Sequence, residues 1–491
     1  MVCLMLPALA TGWIARAEET AVGHNEVIHE FPPGTEPPEL EIAYFDPLGM
    51  DPDSYWTHLG TNAPSLAFVA YPEALYLYER SSDLSSWTAW AGFNNLYDSG
   101  YFTVKAGIDV AGEREFYRVV KVVDGVSATV PPPQYETFQP PTAGEWFTDP
   151  LFNTPIKRLT DEQNIYGWNG ERAMFSADDQ YFVIAVNNPP KTLRLFDGRT
   201  GDMIRDLSLS LADTSIVRWC YDPQMLVYAE GNKLKSYNVI TDLETILAEF
   251  PEPIGDSTGR LCGGDGNDFD DAGEWLLLNM GDRMFAYNVR TGETGPEKDT
   301  SGFDVDYFTM SPSGQYIVGN STGGKFLWNR DWTNERQLLA KNRHMDMGYL
   351  NGTDECLVSR VDGGSFLAVR FSDGVQFEIL RTDRWFSPMI SAVGGSNRQH
   401  VYLAMRSHGL DPSGEWYRYF GELVQVPLVT GSAQVRRLAH HRCRVPEGGN
   451  SFANQPEAWI NHAGDRLFFR SNMDNYTADG KHDLYMIEIA P

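Results

Sequence analysis

Basic residues are scarce. The chain has 491 residues, with 39 Lys and Arg against 67 Asp and Glu, and a formal charge of −28. That balance excludes a nucleic acid as a partner, because nothing would neutralise phosphates across a wide surface. It suits a soluble protein kept dispersed by its charge. Cysteine is scarce as well: Cys3, Cys220, Cys262, Cys356 and Cys443 are scattered, with no C-x-x-C pair. A zinc ribbon and a redox motif are thereby excluded. Cys3 lies in the leader described below; the other four are open to one or two disulfides or to buried free thiols. No apolar run is long enough to span a bilayer comfortably. Walker A, nucleophile-elbow and HExxH patterns are absent. Asp265-Gly266-Asn267-Asp268-Phe269-Asp270 has Leu276 where a calcium loop ends in Glu, so it reads as a β-turn. No glycosidase carboxylate pair can be singled out among the acids.

Turn formers and strand formers are what the chain has. With 45 Gly, 29 Pro and 13% aromatic residues it leans toward β structure. It is too long for one ordinary core unless that core is a repeat array. Residues 1–17 are apolar and end in Ala15-Arg16-Ala17 before Glu18-Glu19, a small-x-small cleavage pattern with no basic segment before it. They read as a signal peptide whose start is either truncated or mis-assigned, which predicts a secreted or periplasmic protein. Residues 18–38 are a Pro-rich linker. Over 39–129, strands at Ser65–Ala70, Leu75–Glu79, Tyr101–Lys105 and Phe116–Val123 predict a small β-sandwich. Its Trp87 and Trp90 are core residues or a sugar platform. Residues 130–148, with Val130-Pro131-Pro132-Pro133, form a stiff linker.

From 149 to 491 a weak repeat appears. Its best copy, Glu171–Leu207, runs Ala173–Ser176, a turn at Ala177-Asp178-Asp179, Tyr181–Val186, Leu193–Phe196, the turn Asp197-Gly198-Arg199-Thr200-Gly201, and Met203–Leu207. Comparable turns stand at Tyr221-Asp222-Pro223, Asp271-Ala272-Gly273, Ser311-Pro312-Ser313-Gly314, Asn351-Gly352, Gly394-Gly395 and His462-Ala463-Gly464. Seven copies in about 340 residues, roughly 49 each, is the period of a propeller blade. The predicted fold is all-β, a seven-bladed β-propeller preceded by a small β-sandwich. A row of unrelated sandwiches is the alternative. The last copy runs out after Asp483–Ile489, so Pro155–Leu159 is assigned as its fourth strand, which closes the ring.

Residues just before each innermost strand crowd around a propeller's channel. That position yields Tyr166, Trp168, Asn169, Arg172, Arg218, Trp219, Arg260, Tyr307, His344, Asp346, Arg384, Trp385, His441, Arg442 and Gln455. Arginines gathered against the global sign of charge suit an anionic ligand, since guanidinium forks take carboxylate or sulfate in bidentate fashion. Trp168, Trp219 and Trp385 would stack on sugar rings. Several of the arginines have acids nearby, Asp222, Asp304 and Asp306 among them, so ion pairing within the fold is the competing reading.

Two resemblances follow from particular phrases. Tyr76–Thr88 with Glu115-Phe116-Tyr117-Arg118-Val119 resembles a fibronectin-III-like module, which implies a spacer or adhesive role. His441-Arg442, Gln455-Pro456, Asn461–Asp465, Phe468–Asn472 and Asp483-Leu484-Tyr485 resemble the last blade of TolB-like propellers. Within these, they are similar to the oligogalacturonate-lyase and ulvan-lyase type of polysaccharide lyase. Arg343–Tyr349 and Tyr166-Gly167-Trp168-Asn169 fit the same group. The resemblance implies an acidic, uronate-containing polysaccharide or oligosaccharide as partner. It also implies a divalent metal held by a Gln followed by two His. Gln455 fits; the His positions hold Ala458 and Ile460, leaving Gln455 and His441 as a reduced metal set and the cofactor unassigned.

β-Elimination beside a uronate needs a base for the C5 proton, a cation for the carboxylate and an acid for the leaving oxygen. His344 or His441 would be the base, and Tyr307 or Tyr166 the acid. Arg218, Arg260, Arg384 or Arg442 would neutralise the carboxylate, with Arg172 also in contact. His408 lies in a polar loop and reads as surface. The alternative function is a non-catalytic TolB-like propeller that binds glycan or protein.

Overall fold

The computed structural model describes the backbone of six strands before residue 124. It further describes residues 138–489 apart from 162–164, 167–172, 187–190, 210, 212–215, 264–267, 341–343, 362–363, 383–388, 392–397, 406–418, 431–434, 445–453 and 474–480. The chain divides into two units. One spans Met1–Ser127 with Leu151–Asn153; the other spans Ala128–Pro150 and Thr154–Pro491.

In the first unit, Val2–Pro7, Arg114–Val123, Leu75–Ser81 and Thr88–Asn94 form a four-stranded antiparallel sheet. Ser65–Ala70 pairs with Phe102–Gly107 in a second. The segment whose pattern suggests a leader thus contributes an edge strand, Val2 opposite Val119 and Pro7 opposite Arg114.

The second unit is a seven-bladed β-propeller. Blade one holds Ile165–Tyr166, Tyr181–Val186, Thr192–Asp197 and Met203–Asp206, from the innermost strand outward. Blade two holds Arg218–Trp219, Met225–Glu230, Lys233–Asn238 and Glu244–Glu249. In blade three, Trp275–Met280, Arg283–Asn288 and Lys298–Asp299 are described. Blade four runs Val305–Met310, Tyr316–Ser321, Gly324–Asn329 and Arg336–Leu339. Blade five runs Met345–Leu350, Asp354–Arg360, Ser365–Arg370 and Gln376–Arg381. Blade six runs Met389–Ser391, His400–Ala404, Glu422–Pro427 and Arg436–His440.

Blade seven closes the ring. Glu457–Ile460, Arg466–Ser471 and Asp483–Glu488 come from the end of the chain. Pro155–Arg158 joins as the fourth strand, Ile156 opposite Ile487 and Arg158 opposite Tyr485. Trp146–Thr148 adds a fifth, which the sequence assigns to the linker. Pairing the two ends of the domain removes an open sheet edge.

Middle strands are covered on both faces by neighbouring blades. Their sequences are therefore almost continuously apolar, as in Trp275–Met280 and Tyr181–Val186, rather than alternating. Outer strands such as Glu244–Glu249 are half-buried or exposed. The core is accordingly a ring of clusters between blades. Phe182 stacks on Phe468 at 4.6 Å between blades one and seven, and Phe308 on Trp328 at 5.4 Å in blade four. The cysteines Cys220, Cys262, Cys356 and Cys443 are buried free thiols.

Candidate functional site

Strand order gives the ring two unlike ends. At one end lie the turns from first to second strand and from third to fourth. At the other lie the connections from second to third strand and from each fourth strand to the next blade. The turn end is filled by protein. Asp179 of blade one takes the His462 and Ala463 amides of blade seven at 2.8 Å each. Asp271 N donates to Pro312 O, and Ser313 N to Glu355 Oε1, each at 2.8 Å. Arg398 of blade six lies 2.6 Å from Asp271 of blade three and donates to Met347 O of blade five. Burial works against the Arg398 charge, but Asp271, Asp346 and Asp268 outweigh it and hold its pKa above the ordinary value. Asp268 also receives the Ala173 amide of blade one at 2.6 Å. These bonds tie six blades to one another at the turn end.

The connection end carries buried cations: Arg158, Arg218, Lys325, Arg360, Arg442 and Arg470. Some belong to the framework. Arg158 pairs with Asp483 at 2.7 Å and Arg470 with Glu457 at 3.0 Å. Lys325 donates to Asn320 Oδ1 at 3.3 Å, and Asn320 in turn to Asp306 at 2.8 Å. Arg218 is 2% exposed and donates to Val217 O.

The ring of residues inferred from sequence separates into three groups. The first converges on blades four and five. His344 is half-buried at the head of the innermost strand of blade five. The Tyr307 hydroxyl of blade four donates to Met345 O, the next carbonyl along, at 3.4 Å. Ser359, the cross-strand partner of Met345, donates its hydroxyl to His344 O at 3.0 Å. Arg360 follows Ser359, buried at the end of that strand. Arg360 is not singled out by the repeat, which marks only the heads of the innermost strands. Its signal is a charge that ends the apolar run Cys356-Leu357-Val358.

The second group is structural. His441 is 1% exposed; Cys443 N donates to its Nδ1 at 2.9 Å, and its Nε2 faces Met405 O at 3.0 Å. An accepting Nδ1 puts the ring proton on Nε2, and burial pushes the pKa down to about 4. With both nitrogens engaged, His441 serves neither as base nor as metal ligand. Arg442 follows the outermost strand of blade six, not the innermost of blade seven. Its guanidinium lies 4.3 Å from the centre of the Phe138 ring, which packs on Phe147 of the fifth strand at 5.1 Å. It therefore stands at the outer seam, away from the channel. Trp219 is 6% exposed, donates to Met174 O at 2.8 Å and stacks on Tyr181, so it fills the seam of blades one and two instead of offering a sugar platform. The Gln455 carbonyl accepts from Arg470 Nε at 3.1 Å beside the innermost strand of blade seven. Ala458 and Ile460 are 2% exposed and pack in the apolar core. The Gln455 and His441 set therefore does not fit a divalent ion.

The third group is split. Arg260 is the most open of the described predicted arginines, with 42% of its side chain exposed and Asp256 at 3.4 Å. Trp168, Arg172, Arg384 and Trp385 lie outside the described residues, and only the backbone of Tyr166 is described.

No protein-family model matches the chain, and no curated protein matches its sequence. Its likeness is to solved folds. Among the structures it resembles are oligogalacturonate lyases. One, from Vibrio parahaemolyticus, superposes with a TM-score of 0.50 at 13% identity, over 70% of this chain and 96% of that one. Another, an oligogalacturonate lyase in complex with manganese, gives 0.50 at 13% identity over 72% and 97%. At that identity the likeness establishes the seven-bladed architecture.

Proposed function

We propose that the propeller takes a uronate-containing oligosaccharide at its connection end and cleaves it by β-elimination. The observation that carries this reading is that Tyr307 and Ser359 bond the main-chain carbonyls of Met345 and His344, beside buried Arg360, on a protein of charge −28. His344 removes the proton beside the carboxylate. Arg360 offsets the charge that develops there, and Tyr307 protonates the leaving oxygen. Half-exposed Arg260 contacts a neighbouring acidic sugar. The lyase folds it resembles lend the substrate class, and secretion with an accessory β-sandwich of fibronectin-III kind fits such a substrate. The reading needs no metal: both nitrogens of His441 are engaged, and the His positions that the resemblance implies hold Ala458 and Ile460.

Incubation with polygalacturonate, ulvan, alginate and glycosaminoglycans should raise absorbance at about 235 nm on one of them, as an unsaturated uronate forms. His344→Gln should lower that rate about a hundredfold, as loss of a general base does. Binding without any rise in absorbance would leave the second reading, a non-catalytic glycan-binding propeller. The engagement of His441 favours that second reading, since it removes one of the two histidines offered as base.

A further inference from the structure

Cys443 stands apart from the other three buried thiols. It lies on the connection from blade six to blade seven, 8% exposed. Its Sγ is 3.0 Å from Asn454 O and 3.5 Å from His482 Nε2, and His482 is wholly buried. Cys220 is held near backbone carbonyls at 3.7 and 3.9 Å, and burial pushes it up to about 11. Burial likewise pushes Cys356 up to about 12 and Cys262 well above the ordinary range. A thiol is a nucleophile only as thiolate, and an adjacent imidazole is a common way to supply one.

We propose that Cys443 and His482 form a nucleophilic thiol–imidazole pair that reacts with small hydroperoxides. The S–H, which Asn454 O accepts in this arrangement, turns to His482 Nε2 and passes its proton there. The thiolate attacks one peroxide oxygen, an S–O bond forms and the O–O bond breaks. The leaving hydroxide or alkoxide takes the proton from the imidazolium. The sulfur is oxidised by two electrons to sulfenic acid, and the hydroperoxide is reduced to water or an alcohol.

The position gives that oxidation a consequence. Cys443 fixes its surroundings through bonds that include its amide to His441 Nδ1, its sulfur to Asn454 O, and the sulfur–imidazole contact. Asn454 immediately precedes Gln455 and holds Asn472 at 3.2 Å, and Asn472 in turn bonds the Arg444 amide and carbonyl. An oxygen added at Sγ replaces the S–H donor and adds volume where there is little room. Oxidation therefore loosens the connection end and leaves the turn end as it is. This inference is independent of the sugar chemistry.

The full chain is treated with dilute hydrogen peroxide and trapped with a dimedone-type probe. In parallel it is labelled with iodoacetamide, and sites are mapped by peptide mass spectrometry. Cys443 should react about tenfold or more faster than Cys220, Cys262 and Cys356 in the folded protein. His482→Gln should slow Cys443 about tenfold and move its labelling profile to higher pH. Equal rates at the four cysteines in the unmodified protein would overturn the proposal, and that comparison needs no variant. So would rapid labelling of Cys443 that His482→Gln leaves unchanged, since the sulfur would then be merely accessible.

Discussion

The two ends of the ring spend their polar groups differently. At the turn end, carboxylates meet backbone amides and one arginine across blade boundaries: Asp179 with His462 and Ala463, Asp271 with Arg398, Glu355 with Ser313. Each bond joins blades that the sheets themselves leave unconnected. At the connection end, cations and imidazoles sit at strand heads and tails, and many of their bonds stay within a blade or reach only the next. Tyr307 with Met345 and Ser359 with His344 are of this kind. Within one fold, the turn end keeps the ring closed, and the connection end can vary its side chains at little cost to the architecture.

The sharpest way to break that contrast is at Arg398. Its charge stands among Asp268, Asp271 and Asp346, and it is nearly inaccessible to water. Arg398→Met keeps much of the volume but leaves the carboxylates facing one another without a counter-charge. Removing one partner of a buried pair typically costs about 3–5 kcal/mol. Urea unfolding of Arg398→Met should show a loss of that size. A change at the open Arg260 of the connection end, such as Arg260→Gln, should cost far less stability, about 1 kcal/mol or less. Equal losses at the two ends would dissolve the distinction.

The ring itself was legible in the sequence because its cause is periodic. A turn every half blade and apolar runs in the middle strands recur whatever each blade does. The shortfall of one strand in the last copy even pointed to Pro155–Arg158 as the closing strand, which pairs with Asp483–Glu488. Trp146–Thr148 was not legible, since three residues beside a Pro-rich stretch carry no period. The site was harder to read, for a geometric reason. The tail of an outermost strand and the head of the next innermost strand lie at the same end and are separated only by a loop, so sequence order alone does not give radius. Arg442 was therefore placed on the channel, although it lies against Phe138 at the rim. Arg360 and Lys325 occupy second and third strands, where the repeat marks no channel position. Tyr307 reaches the carbonyl next to His344 because both residues stand at innermost strands of adjacent blades, the one position the repeat does locate.

Acid gives a gentler comparison, because the two ends carry buried groups with opposite signs of response. His441 belongs to the connection end, and burial holds its pKa near 4 against an ordinary value of 6.5. The unfolded chain therefore binds the proton first as pH falls. Stability from this group is full above about 6.5 and is lost toward 4, roughly 2 kcal/mol between pH 7 and pH 5. His441→Gln should lower stability at pH 7 yet flatten its decline over that window. A decline as steep as that of the unmodified protein would mean that other groups set the acid limit.

The smallest effect belongs to the turn end. The carboxylate of Asp270 accepts the Glu274 and Trp275 amides at 2.8 and 3.0 Å, but burial dominates and raises its pKa from 3.8 to about 6. Here the folded chain binds the proton first, so the sign reverses: acidification from pH 7 to 5 adds about 1 kcal/mol. An Asn side chain can still accept both amides through its carbonyl oxygen, without the charge. Asp270→Asn should therefore raise the unfolding midpoint at pH 7.5 and do so progressively less toward pH 5. If the variant is destabilised equally at both values, the amide bonds to Asp270 need the charge. The turn end would then depend on ionised carboxylates as fully as the connection end depends on a neutral imidazole.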